Sequence, residues 1–361
     1  MDRAPILVNG RFLTQKITGV QRFSLEVVSS LDTILGSRNG REVELLVPRS
    51  WADRATYQRI KTRRVGRASG QVWEQIELPW QARGHLLLNL GNTAPIIMGC
   101  HQLVVVHDAG VFDTPESYSR AFGRWYKLLQ RRLVEGGAHI VTVSEFSRQR
   151  IAAHLPIDPS RITVVSEGSD HILRPQPDWR VLEKHGLGRG RFALVVGSLG
   201  AHKNLNLLQG AALMLNRRGL QLVVAGSFNP VNRPEDTKLN FPIRAIGRVS
   251  DAELRALYHS ALCLLFPSRY EGFGLPPIEA MTCDCPVLAS VSGSVQEVCG
   301  DAAMYFSANA PESPVAALTK LIEEPALRTS LCAAGRLRAS GFTWDAVARK
   351  LLTVAESIAD C

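Results

Sequence analysis

Leu262-Cys263-Leu264-Leu265-Phe266-Pro267-Ser268-Arg269-Tyr270-Glu271-Gly272-Phe273-Gly274-Leu275-Pro276-Pro277-Ile278-Glu279-Ala280-Met281 combines three signals in one stretch. The apolar run Leu262 to Phe266 reads as a strand buried on both faces. Gly272 and Gly274 mark a loop where backbone can approach a ligand closely. Pro276 and Pro277 open a helix, because first-turn N–H groups have no intrahelical partner to lose. Strand, glycine loop and helix make the repeating unit of a parallel α/β sheet, in which ligands sit outside the carboxyl ends of the strands. The helix start, with its free N–H groups and positive dipole, favours a phosphate. Glu271 and Glu279 supply acceptors for a hydroxyl-rich ligand.

Working outward, the same short apolar runs recur along the whole chain. In the first half they are Ile6 to Val8, Val43 to Val47, Leu86 to Leu90, Leu103 to His107, Ile140 to Val143 and Ile162 to Val165. In the second half they are Phe192 to Val196, Leu220 to Ala225, Ile243 to Ile246, Leu262 to Phe266, Val287 to Ala289 and Met304 to Phe306. Alternation with helical stretches makes the chain α/β, and repetition in both halves makes two such domains. A length of 361 residues suits two domains better than one. The Pro- and Gly-rich stretch from Arg174 to Gly190 reads as the linker. The expected domains are therefore 1–175 and 188–343, followed by a final helical stretch over 344–361. Gly188-Arg189-Gly190-Arg191-Phe192-Ala193 has the form G-x-G-x-x-A, but it precedes a strand, so it is no dinucleotide fingerprint.

Composition narrows the function classes. Hydrophobic residues make up 45% of the chain, enough for two cores, and no apolar run approaches the roughly 20 residues of a membrane span. The N-terminal residues read as a first strand and not as a secretory signal, so a cytoplasmic protein is expected. Seven cysteines are scattered, and Cys283-x-Cys285 has no second pair to complete a metal site; reduced, buried thiols are expected. The formal charge of +9 is concentrated in Arg59 to Arg67 and in Ser117 to Arg132. The second stretch sets Arg120, Arg124, Lys127, Arg131 and Arg132 among Phe122, Trp125, Tyr126, Leu128 and Leu129 at helical spacing. Such a helix fits an anionic membrane surface or an acidic lipid-linked substrate. No nucleic-acid reader motif accompanies the charge.

The segment Ser268 to Met281 resembles the E-x7-E signature of retaining glycosyltransferases of family 4, which have the GT-B fold. The resemblance runs over nearly the whole chain. Thr18-Gly19-Val20-Gln21-Arg22 is similar to the family's glycine loop after the first strand, and Val104-Val105-Val106-His107-Asp108 to its strand-end histidine. Val141-Thr142-Val143-Ser144-Glu145-Phe146-Ser147 matches a further signature. Val195-Val196-Gly197-Ser198-Leu199-Gly200-Ala201-His202-Lys203-Asn204 resembles the donor-phosphate segment.

The resemblance implies two Rossmann-like domains facing each other across a cleft, the first for the acceptor and the second for a nucleotide sugar. It implies that Lys203 neutralises the donor diphosphate, with Gly19, Ser198 and the backbone of Phe273, Gly274 and Leu275 completing the cradle. Glu271 would hold hydroxyls of the transferred sugar, Glu279 the ribose, and His107 the reacting sugar. Asp108 would orient His107 or face the acceptor. Two departures stand out: Ser198 replaces a common arginine, and His202 another, so phosphate neutralisation would rest more heavily on Lys203, or Arg22, Arg269 or His202 would compensate. A D-x-D metal pair, a P-loop and a G-x-S-x-G elbow are all absent from the sequence.

The implied reaction is a metal-independent hexosyl transfer that keeps the anomeric configuration, through an oxocarbenium-like state in which the departing phosphate oxygen takes the acceptor proton. Similarity to bacterial mannosyl- and rhamnosyltransferases of surface-polysaccharide assembly implies GDP-mannose as donor, ahead of UDP- or dTDP-sugars, with no bound cofactor. A saccharide carried on polyprenyl diphosphate is the implied acceptor, placing the protein peripherally on the cytoplasmic membrane face. The competing readings are a sugar-nucleotide epimerase of the same fold and a noncatalytic sugar-nucleotide- or lipid-binding module.

Overall fold

The structure, a computed structural model, describes residues 4–36, 41–51, 57–197, 200–226 and 239–360. The chain divides into two compact units, Met1–Gly168 with Thr343–Cys361 and Ser169–Phe342.

Among the described residues the first unit holds a seven-stranded parallel sheet. Its strands are β1 (Ile6–Asn9), β2 (Val43–Pro48), β3 (Lys61–Val65), β4 (Leu87–Asn89), β5 (Gln102–Val105), β6 (His139–Thr142) and β7 (Ile162–Val164), in the order β3-β2-β1-β4-β5-β6-β7. Leu7 of β1 pairs with Glu44 of β2 on one side and Leu87 of β4 on the other. β1, β4 and β5 are buried along their whole length, as strands covered on both faces must be. Six strands coincide with the apolar runs of the sequence, and β3 does not. It is Lys61-Thr62-Arg63-Arg64-Val65, its first four residues exposed. As an edge strand it is paired on one side only, and charge there blocks pairing with a further strand. The basic excess at 59–67 is thus partly an edge strand. The final helix, Trp344–Ala359, belongs to this unit and packs along the helix Gly19–Leu35. Trp344 is fully buried, its ring edge-on to Phe23 at 5.7 Å.

The second unit holds β8 (Phe192–Val196), β9 (Gln221–Ala225), β10 (Arg244–Gly247), β11 (Cys263–Phe266), β12 (Val287–Ser290) and β13 (Ala303–Phe306), all parallel, in the order β10-β9-β8-β11-β12-β13. The core packs Leu215 and Leu318, from the helices Gln209–Arg217 and Ser313–Glu323, onto Leu265 and Leu288. The winding reverses between β8 and β11, so the loops that leave these two strands diverge and open a crevice at their carboxyl ends.

The stretch 174–190, expected as the linker, lies inside this second unit. It carries the short helix Arg180–Lys184, packed on the helix Asp251–Ser260, and Asp178 N–H donates to Ala252 O at 2.9 Å. Its prolines and glycines shape turns at the entry to the unit, and the division itself falls earlier, at Gly168 and Ser169. Cys263, Cys283, Cys285 and Cys299 are buried and free. Burial pushes the Cys283 thiol up to about 12, which keeps it protonated and unreactive.

Candidate active site

In the second unit the crevice between β8 and β11 brings two predicted residues together. Lys203 leaves the loop after β8, Glu271 the loop after β11, and Lys203 Nζ donates to Glu271 Oε1 at 2.7 Å. Both side chains are partly open to solvent, at 17% and 14%. The lysine stem runs past Gly197, and its ammonium lies 5.6 Å from the centre of the Phe266 ring. Gly197 is fixed by a close crossing: a Cβ on Gly226, at φ +151, would lie 1.8 Å from Gly197 O. Lys203 is also held from behind, because Asn204 takes a left-handed turn at φ +53 and its amide donates to Ala308 O at 3.1 Å. This explains an asparagine directly after the lysine. Ser198, a further expected phosphate contact, lies outside the described residues.

The loop after β11 is tied down by serines that sequence reading passed over. Ser290 and Ser292 both donate to Ser268 O, while Ser294 Oγ donates to Glu271 O at 3.0 Å and to Phe273 O at 2.8 Å. With its carbonyls so engaged, the loop enters the helix Leu275–Thr282 through Gly274, left-handed at φ +105. Pro276 and Pro277 have no N–H, so of the first three helical positions only Leu275 carries one. The two prolines add no donor beyond the expected cradle, the backbone of Phe273, Gly274 and Leu275. Phe273 is buried, its ring 5.8 Å from that of Phe342.

Glu279 has partners of its own in this unit. Its side chain is 7% exposed, Tyr258 Oη donates to Oε2 at 3.0 Å, and His171 Nε2 lies 3.0 Å from Oε1. Both oxygens are held from within the fold, so a ribose would have to compete with Tyr258 and His171. Burial and the Glu279 carboxylate push the Tyr258 phenol far above its ordinary value, which keeps it a donor.

In the first unit His107 stands just past β5, 6% exposed at the side chain. Its Nε2 lies 3.0 Å from Leu90 O, its Nδ1 3.4 Å from Glu167 Oε1, and its ring 4.7 Å edge-on from Phe23. His107 N–H donates to Asn92 Oδ1 at 2.7 Å, and Ser147 Oγ to His107 O at 3.0 Å. The motif at 141–147 thus buttresses the histidine, with Ser144 Oγ capping the helix Glu145–His154 by accepting from Ser147 N–H. Asp108 Oδ1 accepts from Gly110 N–H at 2.6 Å, a turn contact that holds the short helix Gly110–Asp113. Gly19 is the first residue of the helix Gly19–Leu35, and a Cβ there would meet nothing within 4 Å. One turn on, Arg22 lies 3.5 Å from Glu26. Glu167, Asn92, His171 and Tyr258 had no motif to announce them.

Comparison with known proteins places this architecture. Sucrose-phosphate synthase from Thermosynechococcus elongatus superposes with a TM-score of 0.75 over 99% of each chain at 16% identity, which shows a shared fold, GT-B. The model for "Glycosyl transferases group 1" matches residues 178–338, and that for "Glycosyltransferase Family 4" matches residues 77–171. O-antigen chain mannosyltransferase B of Escherichia coli is 32% identical over 253 residues, 66% of this chain and 66% of the relative. An O-antigen chain mannosyltransferase of Salmonella typhimurium is 26% identical over 66% of this chain and 65% of its own. These alignments span just under two thirds of each relative's length. The chain belongs to glycosyltransferase family 4.

Proposed function

We propose that the protein is a retaining glycosyltransferase that moves mannose from GDP-mannose to a saccharide acceptor carried on a lipid diphosphate, in the assembly of a bacterial surface polysaccharide. The observation that carries this reading is the Lys203–Glu271 pair at the point where the second sheet reverses its winding. A cation for a diphosphate and a carboxylate for sugar hydroxyls stand within one sugar's breadth of each other. Mannose is favoured by the names of the relatives, and a lipid-linked acceptor by the basic surface of the first unit.

In the structure each of these two groups neutralises the other. Donor binding exchanges the partners: the diphosphate takes Lys203, and Glu271 turns to the sugar hydroxyls. A lysine ammonium serves here as a point charge that stabilises the leaving diphosphate as the glycosidic bond stretches. Gly274 and Leu275 add backbone N–H groups. The acceptor hydroxyl attacks from the face the diphosphate is leaving, and a diphosphate oxygen takes its proton. No protein base is required, in keeping with a His107 whose ring nitrogens are already engaged. His107 acts as a positioning residue at the end of β5. Glu279 supports the helix that follows the donor loop, with His171 and Tyr258 as its partners.

The test is transfer itself. With GDP-mannose and a polyprenyl-diphosphate-linked saccharide, the purified protein should add one hexose by mass spectrometry, with EDTA present. The new bond should be α by NMR, as in the donor. A β linkage would overturn the retaining mechanism. Donor binding without transfer would favour the noncatalytic module, and a free epimerised sugar without acceptor would favour an epimerase.

A further inference from the structure

Between residues 57 and 100 the chain has six Lys or Arg and two Asp or Glu. Both acids are engaged by the first unit itself. Glu74 is 1% exposed and lies beside Arg11, while Glu77 accepts from the backbone N–H groups of Arg67 and Ala68. What this region offers to solvent is therefore basic, and it is also apolar. The helical run over 70–82 presents Val72, Ile76 and Trp80 at 57%, 58% and 69% exposure, while Trp73 and Leu78 are fully buried on its other side. The spacing of four follows a π turn at Trp73–Glu77, where Leu78 N–H reaches back to Trp73 O. Pro79 has no N–H to give Gln75, and the wider turn before it keeps every fourth side chain on one line.

Ile97, 71% exposed, extends the stripe. Its turn is tied to the helix by Gln75, whose side chain donates to Ala94 O at 2.9 Å and accepts from Ile96 N–H at 3.1 Å. On the other flank Arg63, from the basic edge strand β3, reaches Gln81 O at 3.4 Å, and Arg67 is exposed at the helix entry. Large apolar side chains clustered in solvent mark an interaction surface, and the basic flank selects its occupant. A second copy of the chain would bring two basic rims together, which costs free energy. An anionic bilayer complements both features.

We propose that this face docks on the anionic surface of a lipid bilayer, with Val72, Ile76, Trp80 and Ile97 entering the headgroup boundary and Arg63 and Arg67 over the lipid phosphates. The inference deepens the reading of a lipid-linked acceptor and rests on it. It also shifts the contact from where the sequence put it. The helix Arg120–Glu135 exposes Phe122 and Leu128 at only 39% and 47%, less than any of the four apolar residues of this face.

Flotation with vesicles of phosphatidylglycerol mixed with phosphatidylcholine tests it, against pure phosphatidylcholine. The full chain should bind the anionic vesicles and release them as salt rises. The double variant Ile76→Ser with Trp80→Ser should bind at least about tenfold more weakly, and Arg63→Glu with Arg67→Glu should lose the preference for anionic lipid. Leu337→Ser, at a residue 78% exposed in the second unit, should bind as the parent does. Unchanged melting temperatures show that the variants are folded. Equal binding to neutral and anionic vesicles, or full binding by the Ile76/Trp80 variant, would overturn the proposal. So would a dimer that this variant converts to monomer in light scattering, since the face would then join two copies. Transfer to a detergent-solubilised acceptor, measured alongside, separates failure of the surface from failure of the proposed reaction.

Discussion

Glu271 and Glu279 stand eight residues apart on one segment, yet their settings are opposite. Glu271 is 14% exposed and holds a lysine that is itself partly open. Glu279 is 7% exposed and holds a histidine that is 2% exposed, with a buried tyrosine on its second oxygen. Near solvent, water can replace either member of a pair, so the pair is weak and exchangeable. Inside the fold a carboxylate cannot be left without hydrogen-bond partners, so these contacts are fixed. The lesson is that two glutamates of one signature can have opposite settings: one is paired near solvent, and the other is held inside the fold.

The comparison can be broken by substitution. Glu279→Ala should have the largest effect, on stability, because it leaves His171 and Tyr258 without their buried acceptor. Removing one partner of a buried pair costs about 3 kcal/mol, readable as a lower urea midpoint at unchanged slope. A stable Glu279→Ala protein with weakened donor binding would restore the ribose contact implied by resemblance. Lys203→Met should instead leave the fold intact and lower turnover at least about tenfold, roughly 1.4 kcal/mol of barrier. Near-normal turnover would remove Lys203 from the reaction. Smallest and most diagnostic is Glu271→Gln. Because a pair within reach of solvent is worth about 1 kcal/mol, freeing Lys203 from this partly buried partner should tighten binding of GDP alone by about fivefold, while transfer falls. Unchanged GDP affinity would mean that the pair does not exchange with the donor.

Much of the fold was legible because buried parallel strands write continuous apolar runs into the sequence. β1, β5, β8 and β11 are of this kind, and the ends of their apolar runs mark where the loops that follow them begin. β3 was not legible, since an edge strand faces water and Lys61 to Arg64 look like a solvated charge run. The unit boundary at Gly168 was hidden for a related reason: proline and glycine report turns, and a turn-rich entry to a unit looks like a linker. At the site, Lys203 and Glu271 were legible as residues and their pairing was not, because it joins loops 68 residues apart. The burial of Glu279 depends on His171 and Tyr258, which no spacing rule links to it. Likewise the exposed stripe Val72, Ile76 and Trp80 reads as an ordinary core face until the π turn and Pro79 show which side is covered.

The central claim is that a sugar nucleotide binds the second unit through Lys203. Thermal shift of the parent and Lys203→Met with GDP-mannose, in EDTA, measures it most directly, since a ligand that binds only the folded state raises its melting temperature. The account predicts a clear rise for the parent and a rise in Lys203→Met only at much higher donor concentration. Equal shifts for both proteins, or none for the parent with any nucleotide sugar, would contradict it.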